Sequence, residues 1–149
     1  MISYRVVRQK YADLKGYGAR LYGGRFNSPG TAAVYTSQNI ALALLEVLVH
    51  IDKAEVPEDY VVMAIRFARR IVNRPRERTV LRAESWATQP APEDYKRPSL
   101  NLPILRVPSV IIPREYNYVL FPETGGFQAG IDWIEPLDFD SCLLASAGR

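Results

Sequence analysis

One cysteine and one histidine are all that this 149-residue chain has of the two side chains that most often build metal and redox centres. Cys142 alone excludes an intramolecular disulfide and any multi-cysteine metal site, and it fits a reducing compartment. His50 alone excludes multi-histidine metal centres and makes a Ser/His/Asp triad a poor match. No membrane-spanning run exists either. The most apolar stretch, residues 31–51, is interrupted by Gln38, Asn39, Glu46 and His50. The N-terminal MISYRVVRQK lacks the apolar core of a secretory signal. Internal repeats, low-complexity runs and long linkers are absent too, so a single domain over 1–149, soluble and cytoplasmic, is expected.

Neither sign of charge dominates. Nineteen basic against sixteen acidic side chains leave a net +3, which permits an anionic ligand without requiring one. A hydrophobic fraction of 48% with 11% aromatics is the composition of a globular protein with a sizeable core.

Residues 2–7 read as a first strand and 32–36 as a short buried one, with a glycine-rich stretch at 16–30 between them. Ser37 offers an N-cap for a helix over 38–51, apolar nearly all round and therefore expected to be central and buried. Residues 60–67 form a further strand. The arginine- and proline-rich region 66–97 has the least pattern, with a short helix expected near 81–86. Beyond it, 104–107, 109–112, 116–121 and 131–139 read as short strands punctuated by proline. The class is α+β, two small sheets packed face to face or split around a cleft, with a central buried helix.

Three features break local rules, and such breaks are where function tends to sit. Glu46 lies in the middle of an apolar helix, where an ionised carboxylate is costly unless it is paired or lines a cleft. A glutamate reaching solvent, or paired with an arginine, accounts for it equally well. Gly23-Gly24-Arg25-Phe26-Asn27 allows close backbone approach, with an arginine placed to grip a phosphate. It lacks the Lys-Ser/Thr ending of a Walker loop, and a plain glycine turn with a solvated arginine is the simpler reading. Ser109 interrupts the apolar run RVPSVIIP, where a buried serine is usually satisfied by neighbouring backbone.

Taken together, GGRFN with Arg25, AAVYTSQNIALALLEVLVH with Glu46 and LRVPSVIIPREYNY with Ser109 resemble a RES domain, a family named for Arg, Glu and Ser. The resemblance runs from YRVV at the start to PLDFD near the end. Two departures stand out. Phe26 occupies a position where the family often has Trp or Tyr. After NYVL the sequence is LFPETGG in place of an Asn-Pro-x-His pattern, so no histidine-dependent step is expected in that loop.

The resemblance implies an ADP-ribosyltransferase-like fold and a toxin that cleaves NAD at the nicotinamide–ribose bond by hydrolysis or phosphorolysis. NAD would be its substrate, with no metal and no other cofactor. Glu46, Arg25 and Ser109 would be catalytic. Arg25 would anchor the diphosphate, with Arg5 as a second phosphate contact. Tyr35 would stack at the nicotinamide, Ser109 would hydrogen-bond the nicotinamide or its ribose, and Tyr22 and Phe26 would wall the pocket. The implied partner is an Xre-like helix-turn-helix antitoxin, to which any DNA contact would belong. Transfer of ADP-ribose to a host protein is the alternative reaction. From the residues themselves, Arg66, Arg69, Arg70, Arg74, Arg76, Arg78 and Arg82 leave open a nucleic-acid-binding module, although such a cluster is more often a solvated or protein-docking face.

Overall fold

The apolar runs read as strands pair edge to edge. The computed structural model describes residues 1–51, 58–73 and 103–140. In chain order these hold β1 (Ile2–Arg8), a 3-10 turn (Gln9–Tyr11), α1 (Tyr17–Tyr22), β2 (Val34–Ser37), α2 (Ile40–Leu48) and β3 (Tyr60–Phe67). A second 3-10 turn (Arg69–Ile71) leads to β4 (Val72–Asn73), β5 (Ile104–Pro108), β6 (Tyr116–Leu120) and β7 (Ala129–Pro136). The short helix expected near 81–86 lies outside the described residues.

Two sheets were expected. The described strands instead form one, in the order β4-β5-β6-β2-β1-β3-β7. From β5 to β7 each strand is antiparallel to its neighbours, and β4 runs parallel to β5 at the edge. The pairing is uneven. β1 is registered to β3 along its whole length, from Ile2↔Arg66 to Arg8↔Tyr60. Between β1 and β2 there is one pair, Tyr4↔Ser37. The same register would set Arg5 opposite Thr36 and Val6 opposite Tyr35, but the strands part there. The sheet is therefore two halves, β7-β3-β1 and β2-β6-β5-β4, joined in the middle by a single residue pair.

Side-chain alternation sends successive residues to opposite faces. On the back, Val34 of β2, Met63 and Ile65 of β3, Ile104 of β5 and Leu120 of β6 share one core, each wholly buried. Burial on that scale is worth roughly 1.5–3 kcal/mol per side chain, and it holds both halves together. The front carries two smaller clusters. Val6 and Val62 pack with Ala43 of α2 on the first half. Phe26, Ala33, Leu105, Val107, Val119 and Phe121 pack on the second, with Ala19 of α1 against them.

The expected central helix is a surface one. Within α2 only Leu42 and Ala43 are buried, while Ile40, Leu45 and Val49 are 40%, 37% and 58% exposed. Apolar content showed a helix without showing which of its sides would meet the sheet. Nor does Ser37 cap it. Ser37 stays in β2, paired with both Tyr4 and Asn117, and Asn39 takes the cap by accepting from Leu42 N–H at 2.7 Å. The strand expected over 109–112 is a turn. The Ile111 and Ile112 N–H groups donate to Ser109 Oγ, which withdraws them from any ladder.

Candidate functional site

Where β1 and β2 part, a cleft of about 590 Å³ opens on the front of the sheet, within the range of small-molecule and cofactor sites. Tyr4, Arg5, Val6 and Val7 of β1 form one wall, and Tyr35, Thr36 and Ser37 of β2 form the other. Glu46, Val47 and His50 enter from α2 and the residues after it. Gly24, Arg25 and Phe26 enter from the glycine loop, and Asn117 from β6.

Glu46 sits on the side of α2 that faces this cleft. Its Oε1 accepts from Ser109 Oγ at 3.0 Å and from Asn117 Nδ2 at 2.5 Å. The helix is seated on β1, yet both donors belong to the other half of the sheet. One further tie crosses the same way: Asn39 Nδ2, at the cap of α2, donates to Glu115 Oε2 at 3.0 Å, while Gln38 extends the β2–β6 pairing by exchanging bonds with the Tyr116 backbone. The buried-helix glutamate of the sequence is thus a half-buried carboxylate held by neutral donors at the rim of a cavity.

Ser109 is placed differently from expectation. It is 1% exposed and stands behind Glu46, outside the cleft wall. Its oxygen accepts from Ile111 N–H and Ile112 N–H, both at 3.1 Å, so its single proton is left for Glu46. Its hydroxyl is turned to the Glu46 carboxylate.

The glycine loop is held rigidly. Gly23, at φ +72°, closes α1 by donating to Ala19 O at 2.8 Å. At Gly24 a Cβ would run into the Tyr35 hydroxyl, so only glycine allows the loop to lie this close to β2. Asn27, 1% exposed, donates to Ala19 O at 2.8 Å and Thr31 O at 3.0 Å. Phe26 contributes both to the cleft wall and to the core beneath it. Arg25 lies between these two anchors, half-buried on the wall.

Tyr35 lines the cleft with its hydroxyl already engaged. It donates to Asn27 Oδ1 at 2.7 Å and accepts from Phe26 N–H at 3.0 Å. Burial pushes its phenol up to about 12, opposed by the Phe26 N–H and the nearby Arg25 charge. Arg5 reaches the cleft from β1, but its Nη1 donates to Tyr11 O at 3.3 Å and Asp13 O at 3.2 Å. Burial lowers its pKa, partly offset by Asp13. Tyr22, expected to wall the pocket, is 85% exposed and outside it.

Sequence reasoning missed Asn117 and Thr36 altogether. It also missed the place of His50, one helical turn past Glu46 and on the same wall. An i, i+4 spacing from the carboxylate was the available signal for His50. Part of the arginine cluster is committed elsewhere. Arg66 makes a bidentate pair with Asp132, and Arg70 donates to Gln128. Among the described residues no group of three or more His, Cys, Asp or Glu side chains is placed to hold a metal, and no helix is long and apolar enough to cross a membrane.

Comparison with known proteins gives a consistent set of likenesses. The RES domain family matches residues 2–140. "Toxin Res" of Yersinia enterocolitica (serotype O:8 / biotype 1B) is 31% identical over 93% of this chain and 95% of its own. The "Prs ADP-ribosylating toxin" of Sphingobium sp. (strain YBL2) is 32% identical over 74% of this chain and 73% of its own. Among solved structures, a chain of the M. tuberculosis MbcT–MbcA toxin–antitoxin complex superposes with a TM-score of 0.64 at 20% identity. That alignment covers 96% of this chain and 86% of that one, and it is a likeness of fold.

Proposed function

The chain belongs to the RES domain family, and from that premise we propose that it is the toxin of a toxin–antitoxin pair that cleaves NAD at the nicotinamide–ribose bond. The observation that carries this reading is one carboxylate, Glu46, oriented by two donors at the rim of a cleft that also holds Arg25. The scissile bond joins ribose C1′ to a cationic pyridinium. Nicotinamide leaves as a neutral base, so no general acid is required, unlike ordinary glycoside cleavage with its two carboxylates. One carboxylate suffices to hold a ribose hydroxyl and stabilise the oxocarbenium-like transition state.

Arg25 contributes the charge for the diphosphate, on a loop whose glycines allow a close approach. Arg5 adds a second positive charge on the opposite wall, its Nη1 occupied by main-chain carbonyls. Phe26 and Tyr35 supply aromatic surface for the nicotinamide end. The reaction consumes NAD as substrate, with water or phosphate as acceptor, and calls for no metal. Depletion of NAD would then arrest growth of the cell.

Transfer of ADP-ribose to a host protein is the second reading, favoured by the name of the Sphingobium relative. Both reactions use the same carboxylate and differ only in what attacks C1′. The likeness to a chain of a toxin–antitoxin complex supports an antitoxin partner, which we take to be an Xre-like helix-turn-helix protein that carries any DNA contact of the pair. Incubating purified, antitoxin-free protein with NAD, with and without phosphate, tests the reading. Loss of NAD with release of nicotinamide is expected, and the second product sorts hydrolysis from phosphorolysis. Label from NAD accumulating on a protein band would favour transfer. Intact NAD and unlabelled protein, from a folded sample, would sink both.

A further inference from the structure

We infer that Asn117 is a positioning residue for Glu46, setting the carboxylate for the chemical step without itself meeting the reacting atoms; the inference rests on the NAD-cleavage reading. Its amide orientation is fixed by its neighbour. A carboxylate only accepts, so the NH₂ must face Glu46 Oε1, 2.5 Å away. That choice strands the other end of the amide. Asn117 Oδ1 is buried without a hydrogen-bond partner. A buried acceptor left unpaired is a desolvation cost that nothing returns. A β position flanked by buried neighbours would ordinarily be filled by a valine or threonine. The asparagine makes sense for its donor.

The anchoring of Asn117 suits this task. It is registered to Val107 on one side and to Ser37 on the other, and Ser37 is the residue that joins the halves through Tyr4. A side chain fixed by strands on both flanks can hold a partner to the tolerance that catalysis needs, about 0.5 Å. Ser109 donates to the same Oε1. With both donors on one oxygen, Glu46 cannot rotate freely, and Oε2 is the oxygen available to a ribose hydroxyl. Without Asn117 the carboxylate keeps only the Ser109 bond and swings about it. A misplacement of about 1 Å is enough to cost on the order of 100-fold in rate.

The test uses the full chain with NAD as substrate and compares wild type with Asn117→Ala and Asn117→Asp. Asn117→Ala is expected to lower kcat by about 10- to 100-fold with KM within about threefold, the signature of an interaction made in the transition state. Asn117→Asp keeps the shape but, when ionised, turns a second carboxylate toward Glu46. It should be nearly inactive at pH 8 and recover, relative to wild type, toward pH 5, where a protonated carboxyl donates again. Tyr4, Arg5, Arg25, Tyr35 and His50, the other charged or titratable groups that line the cleft with Glu46, are common to all three proteins and drop out of the ratio. A wild-type kcat in Asn117→Ala, or a loss with no acid recovery in Asn117→Asp, would overturn the inference. If wild type leaves NAD intact, the functional reading falls while positioning is still decided by crystallography. Glu46 taking several conformers in Asn117→Ala would uphold it, and an unmoved Glu46 would overturn it.

Discussion

The two halves of the sheet do different work. In β7-β3-β1 the strands are long and registered almost throughout, and β3 is buried on both faces at Val61, Val62, Met63, Ala64 and Ile65. In β2-β6-β5-β4 the strands are two to five residues long, and the turns between them carry the unusual hydrogen bonds. The first half supplies the seat of α2. The second supplies Tyr35, Ser109 and Asn117, and with them the setting of the groups on the cleft wall. The cleft opens where the two stop pairing. Glu46 belongs to both, carried on a helix seated on one half and clamped by side chains of the other. Its carboxylate position therefore reports how the halves sit against each other.

The sharpest way to separate chemistry from scaffold in this arrangement is Glu46→Gln. The amide oxygen can still accept from Ser109 and Asn117, so the junction between halves should survive. Turnover of NAD should fall by about 100- to 1,000-fold, the size seen when one preorganised electrostatic group is lost. An unchanged melting temperature beside that loss would place the effect in the reaction. Near wild-type turnover would remove Glu46 from the mechanism. Arg25→Ala acts on the second half alone. It should raise the NAD dissociation constant by about 10- to 100-fold, as expected for a charge-assisted contact worth roughly 1.5–3 kcal/mol. Calorimetry giving an unchanged constant would contradict its role in holding the diphosphate.

Ser109→Ala tests whether the second half really sets the first half's carboxylate. The change removes a donor to Glu46 and strands two backbone N–H groups in the turn, for about 1–3 kcal/mol of stability. Turnover should fall about tenfold with little change in KM. A large rise in KM instead would return Ser109 to direct contact with NAD.

The halves were also unequally legible. β3 was bounded at Tyr60–Phe67, where Met63 and Ile65 alternate along a β-favouring run of strand length. β1, β5 and β6 were also located, and the segments holding Arg25, Glu46 and Ser109 could be singled out because each breaks a local rule. Alternation assigns faces, however, and says nothing of which neighbours pair, so the single Tyr4↔Ser37 joint was invisible. One sheet was read as two for that reason. The run at 109–112 failed on a different point. Its β-branched composition favours a strand, but Ser109 captures its N–H groups locally. Asn117 carried no signal at all, because an asparagine near a strand start is ordinarily a turn residue.

Tyr35→Phe probes the smallest of these couplings, the hold of β2 on the glycine loop. Removing the hydroxyl takes away an acceptor for Phe26 N–H and a donor to Asn27, and Arg25 stands on the loop between them. A two- to fivefold weaker NAD dissociation constant is expected, with kcat nearly unchanged. The phenol also marks itself in alkali. Its folded pKa of about 12 lies above the ordinary 10, because burial disfavours the phenolate. The folded state therefore keeps the proton over a range where the unfolded chain gives it up. The stability this contributes is complete below about pH 10 and is lost as pH rises through 12. Melting curves of wild type and Tyr35→Phe should accordingly converge between those values. Parallel curves would mean that the hydroxyl meets water in solution and that the loop is held to β2 by Phe26 alone.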